Sequence, residues 1–522
     1  MNSWSGSRRD LAKIAGAAAA VAGTTMAFGG RMAWAQDASP EASGDFSGTL
    51  VFGRSEEAVG FDPAMVTASS SFETIAAVYE TLVIFDDDGQ PQPWLAESWD
   101  MPDDKTYVFT LREGVTFHNG QPMTADDVVF TFERMMDPDG GSPWTSQFSP
   151  VASVEATDER TVTFTLTETY GPFLAPMSAS YAAIVPADES IDLQTTMVGT
   201  GAFKLQEFKK DTETLFEGFA DYWQEGQPKL ANLSYKILPD ETSRVAAIRT
   251  GEIDLTSLVD PISIDSVRNS EGVEVIDQDT TDYYLLGLNC KVAPFDDPKV
   301  RQALSMAIDR QAIVDSVFFG QGQVSGPLVP TLGDWANTLE DLPNYSLDLD
   351  GAKALLEEAG QSDLSFKITV GANRTEFVNI ALVIQDQLKE IGVTAELDQV
   401  EWGTFIDKWV ARDFQSFVSS NGSGNDPDRA LYAALYTDGS TNAFQFSDPE
   451  VDRLLDQGRT QAEHDERKAT YQEVEKLIAE QAPLIFISTR VAHFAKRTSV
   501  EGFAPSASQT WRTLPETTVS GE

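Results

Sequence analysis

From residue 233 onward the chain alternates short apolar runs with helices whose ends are spelled out, and this alternation restricts the possible folds more than any other feature. Residues 233–238 read as a strand. Residues 240–250 follow as a helix with Val245 and Ile248 turned inward and Gly251 as its stop. Residues 283–289 are again apolar and lead into Phe295-Asp296-Asp297-Pro298, where Asp297 can cap a helix and Pro298 take its first position. One helical face then carries Val300, Ala303, Leu304, Ala307, Ile308, Val314 and Val317. A helix over 352–359 stopped by Gly360, a strand over 366–370, a helix over 376–391 stopped by Gly392 and a strand over 393–400 continue the pattern. Strands and helices in succession predict an α/β sheet.

The first part of the chain is built differently. Tyr107, Phe109 and Leu111 alternate with Val108, Thr110 and Arg112 behind an Asp103-Asp104 turn, and Val162, Phe164 and Leu166 repeat the pattern behind Asp158-Glu159. Thr124 is placed to cap a helix whose Asp126 and Asp127 suit its positive end. Late in the chain, Ser447-Asp448-Pro449-Glu450 has capping-box spacing, and Tyr471, Val474, Leu477 and Ile478 form the stripe of a helix ended by Pro483. Residues 484–488 are then apolar.

At the amino terminus Ser7-Arg8-Arg9-Asp10-Leu11-Ala12-Lys13 precedes an Ala- and Gly-rich apolar run and Ala33-Trp34-Ala35. This is the pattern of a cleaved export signal over 1–35, and its paired arginines resemble the twin-arginine motif. The run is too short to remain in a membrane, and no cysteine follows the cleavage point for lipid attachment. Residues 36–48 read as a flexible, acidic leader. The expected location is periplasmic or extracellular, without a lipid anchor.

Several chemistries are excluded. With 82 acidic against 37 basic residues the formal charge is -45, which repels nucleic acid. Cys290 is the single cysteine, so no disulfide forms within the chain and a buried, unreactive thiol is expected. No Gly-Lys dipeptide exists to make a phosphate-binding P-loop. His118, His464 and His493 lie far apart and outside any H-E-x-x-H pattern, so no metal site or cofactor is expected. Gly422-Ser423-Gly424 lacks the nucleophile-elbow pattern, and no catalytic set emerges.

One ordered series of motifs carries more than any single residue. It runs Leu95-Ala96-Glu97-Ser98-Trp99, Phe109-Thr110-Leu111-Arg112-Glu113-Gly114-Val115, Phe117-His118-Asn119-Gly120, Thr124-Ala125-Asp126-Asp127-Val128, Val198-Gly199-Thr200-Gly201, Asp221-Tyr222-Trp223 and Phe295-Asp296-Asp297-Pro298. The series resembles extracytoplasmic solute-binding proteins of family 5, the dipeptide- and oligopeptide-binding type that serves peptide and nickel ABC importers. The resemblance implies an α/β, two-lobed periplasmic-binding-protein fold of type II, of the large class with an extra subdomain, hinged by two crossover strands. On that pattern lobe I covers 49–283 with an inserted subdomain at about 85–197, lobe II covers 284–485, and 486–522 return to lobe I. The crossings fall near 284–290 and 482–487.

The function implied is capture of a small solute, a peptide or peptide-like molecule, between closing lobes and its delivery to the permease subunits of an ABC importer. The expected protein is a monomer, not an enzyme, exported by the twin-arginine machinery. An exported hydrolase, a sensor-linked receptor, or a binder of a non-peptide solute such as an oligosaccharide stays open on the same scaffold.

In peptide-binding relatives an aspartate shortly before an Asp-Pro-Asp turn holds the ligand's amino group. Here that turn is Asp426-Pro427-Asp428 and the matching position is Ser423 or Gly424, so the usual anchor is replaced and Asp426 or Asp428 is left as the substitute. Arg374 falls near the region where relatives hold the ligand's carboxylate. Trp402 resembles a position that faces the cleft, and Tyr283 and Tyr284 near the first crossing, with Trp335, complete the candidate ligand-binding set.

Overall fold

The computed structural model describes residues 46–86, 89–507 and 511–520. The export signal expected over 1–35 and most of the leader expected over 36–48 lie outside these residues.

Two long strands, Val273–Leu288 and Leu484–Arg497, run antiparallel at the centre of a ten-stranded mixed sheet. They pair with each other along almost their full length, with a register slip between Asp279 and Tyr283 opposite Val491 and Thr489. Each carries one half of the sheet on its outer edge. At one end of the ribbon Leu255–Leu258 pairs with His493–Lys496, and the sheet continues through Thr49–Arg54, Asn232–Ile237, Glu213–Gly218 and Phe203–Lys209. At the other end Ser416–Gly422 pairs with residues 282–288, and the sheet continues through Ser365–Gly371 to Thr394–Val400. The halves therefore hang on opposite ends of a two-stranded ribbon whose bulge lies between them.

The expected α/β class is borne out. The central strands are longer than the apolar runs that announced them, because Glu274, Asp277, Gln278 and Asp279 on the first and Arg490 and His493 on the second interrupt the hydrophobic signal. The slip lies just before 284–290 on the first strand and just after 482–487 on the second.

A separate four-stranded antiparallel sheet orders Ala96–Asp103, Thr106–Leu111, Thr161–Leu166 and Val151–Asp158. Its alternating residues Tyr107, Phe109, Leu111, Val162, Phe164 and Leu166 are buried beneath helix Ala125–Met136, where Phe132 meets Phe164 at 5.0 Å. That helix starts as expected, with Asp127 accepting from the Thr124 N–H at 2.7 Å. The Asp221-Tyr222-Trp223 aromatics serve packing. Trp223 meets Trp94 edge-on, and both rings donate to the buried Glu80 carboxylate, which also accepts from the Tyr222 hydroxyl at 2.7 Å.

Other ends follow the local code. Asp240 and Gly251 bound helix Glu241–Thr250, Gly251 taking a φ of 75° that side chains with a Cβ avoid. Asp297 caps helix Pro298–Ala307. The face expected to be continuous from Val300 to Val317 is two helices, Pro298–Ala307 and Arg310–Val317, because Ile308 turns extended and Asp309 starts a new cap by accepting from Ala312 N–H. Near residue 447 the cap is Asp448, not Ser447, and it accepts from Glu450 and Val451. Cys290 is largely shielded, and burial pushes its thiol up to about 11.

Candidate functional site

The carboxyl ends of parallel strands are where open α/β sheets collect ligands, because helices begin there and their first turns surround the crevice. Two such ends lie side by side. After Ser365–Gly371 comes Arg374, immediately before helix Thr375–Lys389, and after Thr394–Val400 comes Glu401, which caps helix Trp402–Ala411 by accepting from Gly403 N–H at 2.8 Å. Residue 371 has to be glycine for this arrangement, since a Cβ there would sit 2.7 Å from Trp402 Cε3. The Arg374 guanidinium lies 4.7 Å from the centre of the Trp402 ring, a cation–π contact.

Arg374 faces a cavity of about 740 Å³ at the bulge of the central ribbon. Thr489, Arg490 and Val491 of the ribbon line it, Arg54, Ser257 and Trp511 come from one half of the sheet, and Tyr284, Phe318 and Arg374 from the other. A second cavity of about 390 Å³ adjoins it and shares Tyr284, Arg374, Glu376 and Arg490 with it. Its remaining walls are largely aromatic, including Trp402, Phe405, Phe417 and Phe444. A third space of about 100 Å³ lies near Glu80, Tyr222, Trp511 and Asn425.

The charges at the junction of the two larger cavities are unevenly matched. Among the described residues no carboxylate comes within ion-pair distance of Arg374, and Arg490 reaches Asp282 only at 3.5 Å. Arg54, in contrast, is buried and held by Glu73 at 2.5 Å. Tyr284 stacks on Phe318 at 4.7 Å, and burial pushes its phenol up to about 12.

Three of the expected ligand residues, Arg374, Trp402 and Tyr284, thus meet at one place. The others are placed elsewhere. Tyr283 points to the opposite side of its strand, packs on Phe486 at 5.0 Å and is buried in the core. Trp335 is buried beside His464. Ser423 is buried, its N–H donates to Thr281 O at 2.9 Å, and its hydroxyl has no hydrogen-bond partner among the described residues. Asp426 caps helix Pro427–Leu435 and accepts two hydrogen bonds from the buried Arg467, at 2.7 and 2.6 Å. Asp428 accepts from the Tyr471 hydroxyl and pairs with Arg459, both at 3.2 Å, and burial moves its carboxyl up to about 6. None of these five lines the three cavities.

Arg490 and Glu376 were not singled out in the sequence. Arg490 stands two residues past the apolar run 484–488, and a charge placed there on a strand that continues is the signal that could have marked it. Among the described residues no cluster of three or more His, Cys, Asp or Glu side chains could hold a metal ion, and no helix is long and apolar enough to cross a membrane.

Residues 90–443 match the family described as bacterial extracellular solute-binding proteins, family 5. Di/tripeptide-binding protein 1 of Pseudomonas aeruginosa is 31% identical over 498 residues, covering 88% of this chain and 92% of the relative. An ABC transporter substrate-binding protein from Listeria monocytogenes superposes with a TM-score of 0.84 at 28% identity, over 91% of this chain and 100% of that one. A periplasmic binding protein from Helicobacter pylori, solved in complex with the peptide STSA, superposes with a TM-score of 0.75 at 26% identity, over 91% of this chain and 99% of that one.

Proposed function

The chain belongs to family 5 of the bacterial extracellular solute-binding proteins, and we propose that it captures a short peptide by its free carboxylate between two lobes and passes it to the permease of an ABC importer. The observation that carries this reading is the pair Arg374 and Arg490 at a cavity of about 740 Å³ lined from both halves of the sheet. In a chain of formal charge -45 an anionic solute is repelled overall, so an incompletely neutralised pair of guanidinium groups is the feature that would hold one. The peptide named in the Helicobacter pylori complex and the name of the Pseudomonas aeruginosa relative support the same class of cargo.

In this reading the first lobe spans 49–283 and 486–522 with a subdomain near 85–197, and the second spans 284–485. The slip at Asp279–Tyr283 and the change of strand neighbours beyond Thr489 support the division. The ribbon is the hinge, and closure over the cavity desolvates the ligand. Family members act outside the cytoplasmic membrane. For this chain we add export by the twin-arginine signal, release without a lipid anchor, a monomeric state and no catalytic step.

Native mass spectrometry of freshly purified protein, followed by calorimetric titration with di- and tripeptides, tests the proposal. A bound species of peptide mass and saturable heat are expected. No peptide mass and no heat with any peptide would overturn it, and turnover of the added peptides would replace it with an exported hydrolase.

A further inference from the structure

The narrower cavity has its own character. Its wall is a continuous series of rings: Trp402 stacks on Phe405 at 5.0 Å and 7°, Phe405 meets Phe417 edge-on at 6.2 Å, and Phe417 stacks on Phe444 at 5.8 Å and 11°. Phe405, Phe417 and Phe444 are buried, each 2–3% exposed. Phe405 is the only buried residue of helix Trp402–Ala411, and Ile406 is left 40% exposed on the cavity side. An apolar helix face that borders an open cavity, when the rest of that wall is close-packed, leaves a place for an apolar group that this chain does not supply.

The charged junction joins this space to the wider cavity. Tyr284, Arg374, Glu376 and Arg490 belong to both cavities, so a ligand that places its charged group between the two arginines has its adjoining substituent at the mouth of the aromatic space. Among the described residues Arg374 has no carboxylate within ion-pair distance there, and Arg490 pairs with Asp282 at 3.5 Å. A free carboxylate is therefore the group that orients the ligand, and the side chain on the same terminal carbon is the one that enters. At about 390 Å³ the space fits one large side chain with room to adjust. Ser419, Ser420 and Thr441 along one side add hydroxyl groups that tolerate a phenol.

We propose that the aromatic cavity walled by Trp402, Phe405, Phe417 and Phe444 is a side-chain pocket that selects peptides whose carboxyl-terminal residue is aromatic or large and aliphatic. The selection rests on the peptide-binding reading of the wider cavity.

Calorimetric titration of Ala-Ala-Phe, Ala-Ala-Ala and Ala-Ala-Phe-amide against the full chain and its Ile406→Trp variant tests this. Position 406 is exposed on the helix, so the added indole fills the cavity without entering the core. In the parent protein Ala-Ala-Phe is expected to bind about ten-fold or more tighter than Ala-Ala-Ala, in keeping with burial of one phenyl group, and amidation is expected to remove about ten-fold or more. Ile406→Trp is expected to bring Ala-Ala-Phe down toward the level of Ala-Ala-Ala, weakening Ala-Ala-Phe about ten-fold more than it weakens Ala-Ala-Ala. Equal affinity of the first two peptides for the parent, or equal weakening of both by the variant, would overturn the pocket while peptide capture stands. Absence of binding by all three in this titration, and by every other di- and tripeptide, would remove peptide capture and the pocket together.

Discussion

A neutral imidazole in the interior has a signature in pH. His118 is buried, its Nε2 lies 2.8 Å from Gly201 O, its ring meets Phe219 at 4.8 Å, and burial moves its pKa down to about 4. A group whose folded pKa is depressed contributes stability that is present above its unfolded value, near 6.5, and is lost as pH falls through about 4. Replacing His118 by Gln, whose amide can still donate to Gly201, is expected to remove that component. The stability difference between parent and variant should shrink by up to about 3 kcal/mol from pH 7 to pH 4, read by chemical denaturation, and a constant difference would show that His118 does not titrate on unfolding. At this scale the sequence was partly legible. Arg374 and Trp402 could be marked because the stretches that hold them resemble family positions at the ligand cleft. Tyr283 and Tyr284 could not be told apart, since adjacent residues of a strand face opposite sides and only the packed structure says that Tyr284 meets the cavity and Tyr283 meets Phe486. Asp426 and Asp428 looked available because their partners, Arg467 and Arg459, are remote in the chain.

The elements were legible where capping groups lie within a few residues of the helix they serve, as at Thr124, Asp240 and Asp297. They were illegible where burial came from a partner far along the chain. The polar half of Val273–Leu288 is a strand because Leu484–Arg497 lies against it, not because its own residues favour one. Helix Pro427–Leu435 offers a test of which role its cap plays. Asp426→Ala removes both the cap and the partner of the buried Arg467, so it is expected to destabilise the protein by about 3–5 kcal/mol while peptide affinity of the folded fraction is kept. Thermal melting and titration below the transition measure the two effects separately. Unchanged melting with lost affinity would instead make Asp426 a ligand group.

Across the whole molecule, the part that carries the four-stranded sheet also meets the helices of the second half away from the ribbon. Tyr170, just beyond the strand Thr161–Leu166 of the four-stranded sheet, has its ring 5.1 Å from the guanidinium of Arg459 on helix Pro449–Thr460. This contact is outside the three cavities, so Tyr170→Ala is expected to favour the open arrangement without touching ligand. Small-angle scattering of the unliganded variant should give a larger radius of gyration than the parent, and peptide affinity should fall several-fold. Identical scattering and affinity would mean that Tyr170 has no part in closure. The position of Leu484–Arg497 has a consequence for the order in which the molecule can be made. A strand that lies between the two halves of the sheet is translated after every other strand of that sheet, so a nascent chain that has reached residue 483 holds two partial sheets with open edges facing the gap. Native assembly of the sheet therefore waits on synthesis of Leu484–Arg497, and a chain that stops before it is left with the aggregation-prone edges that this one strand conceals.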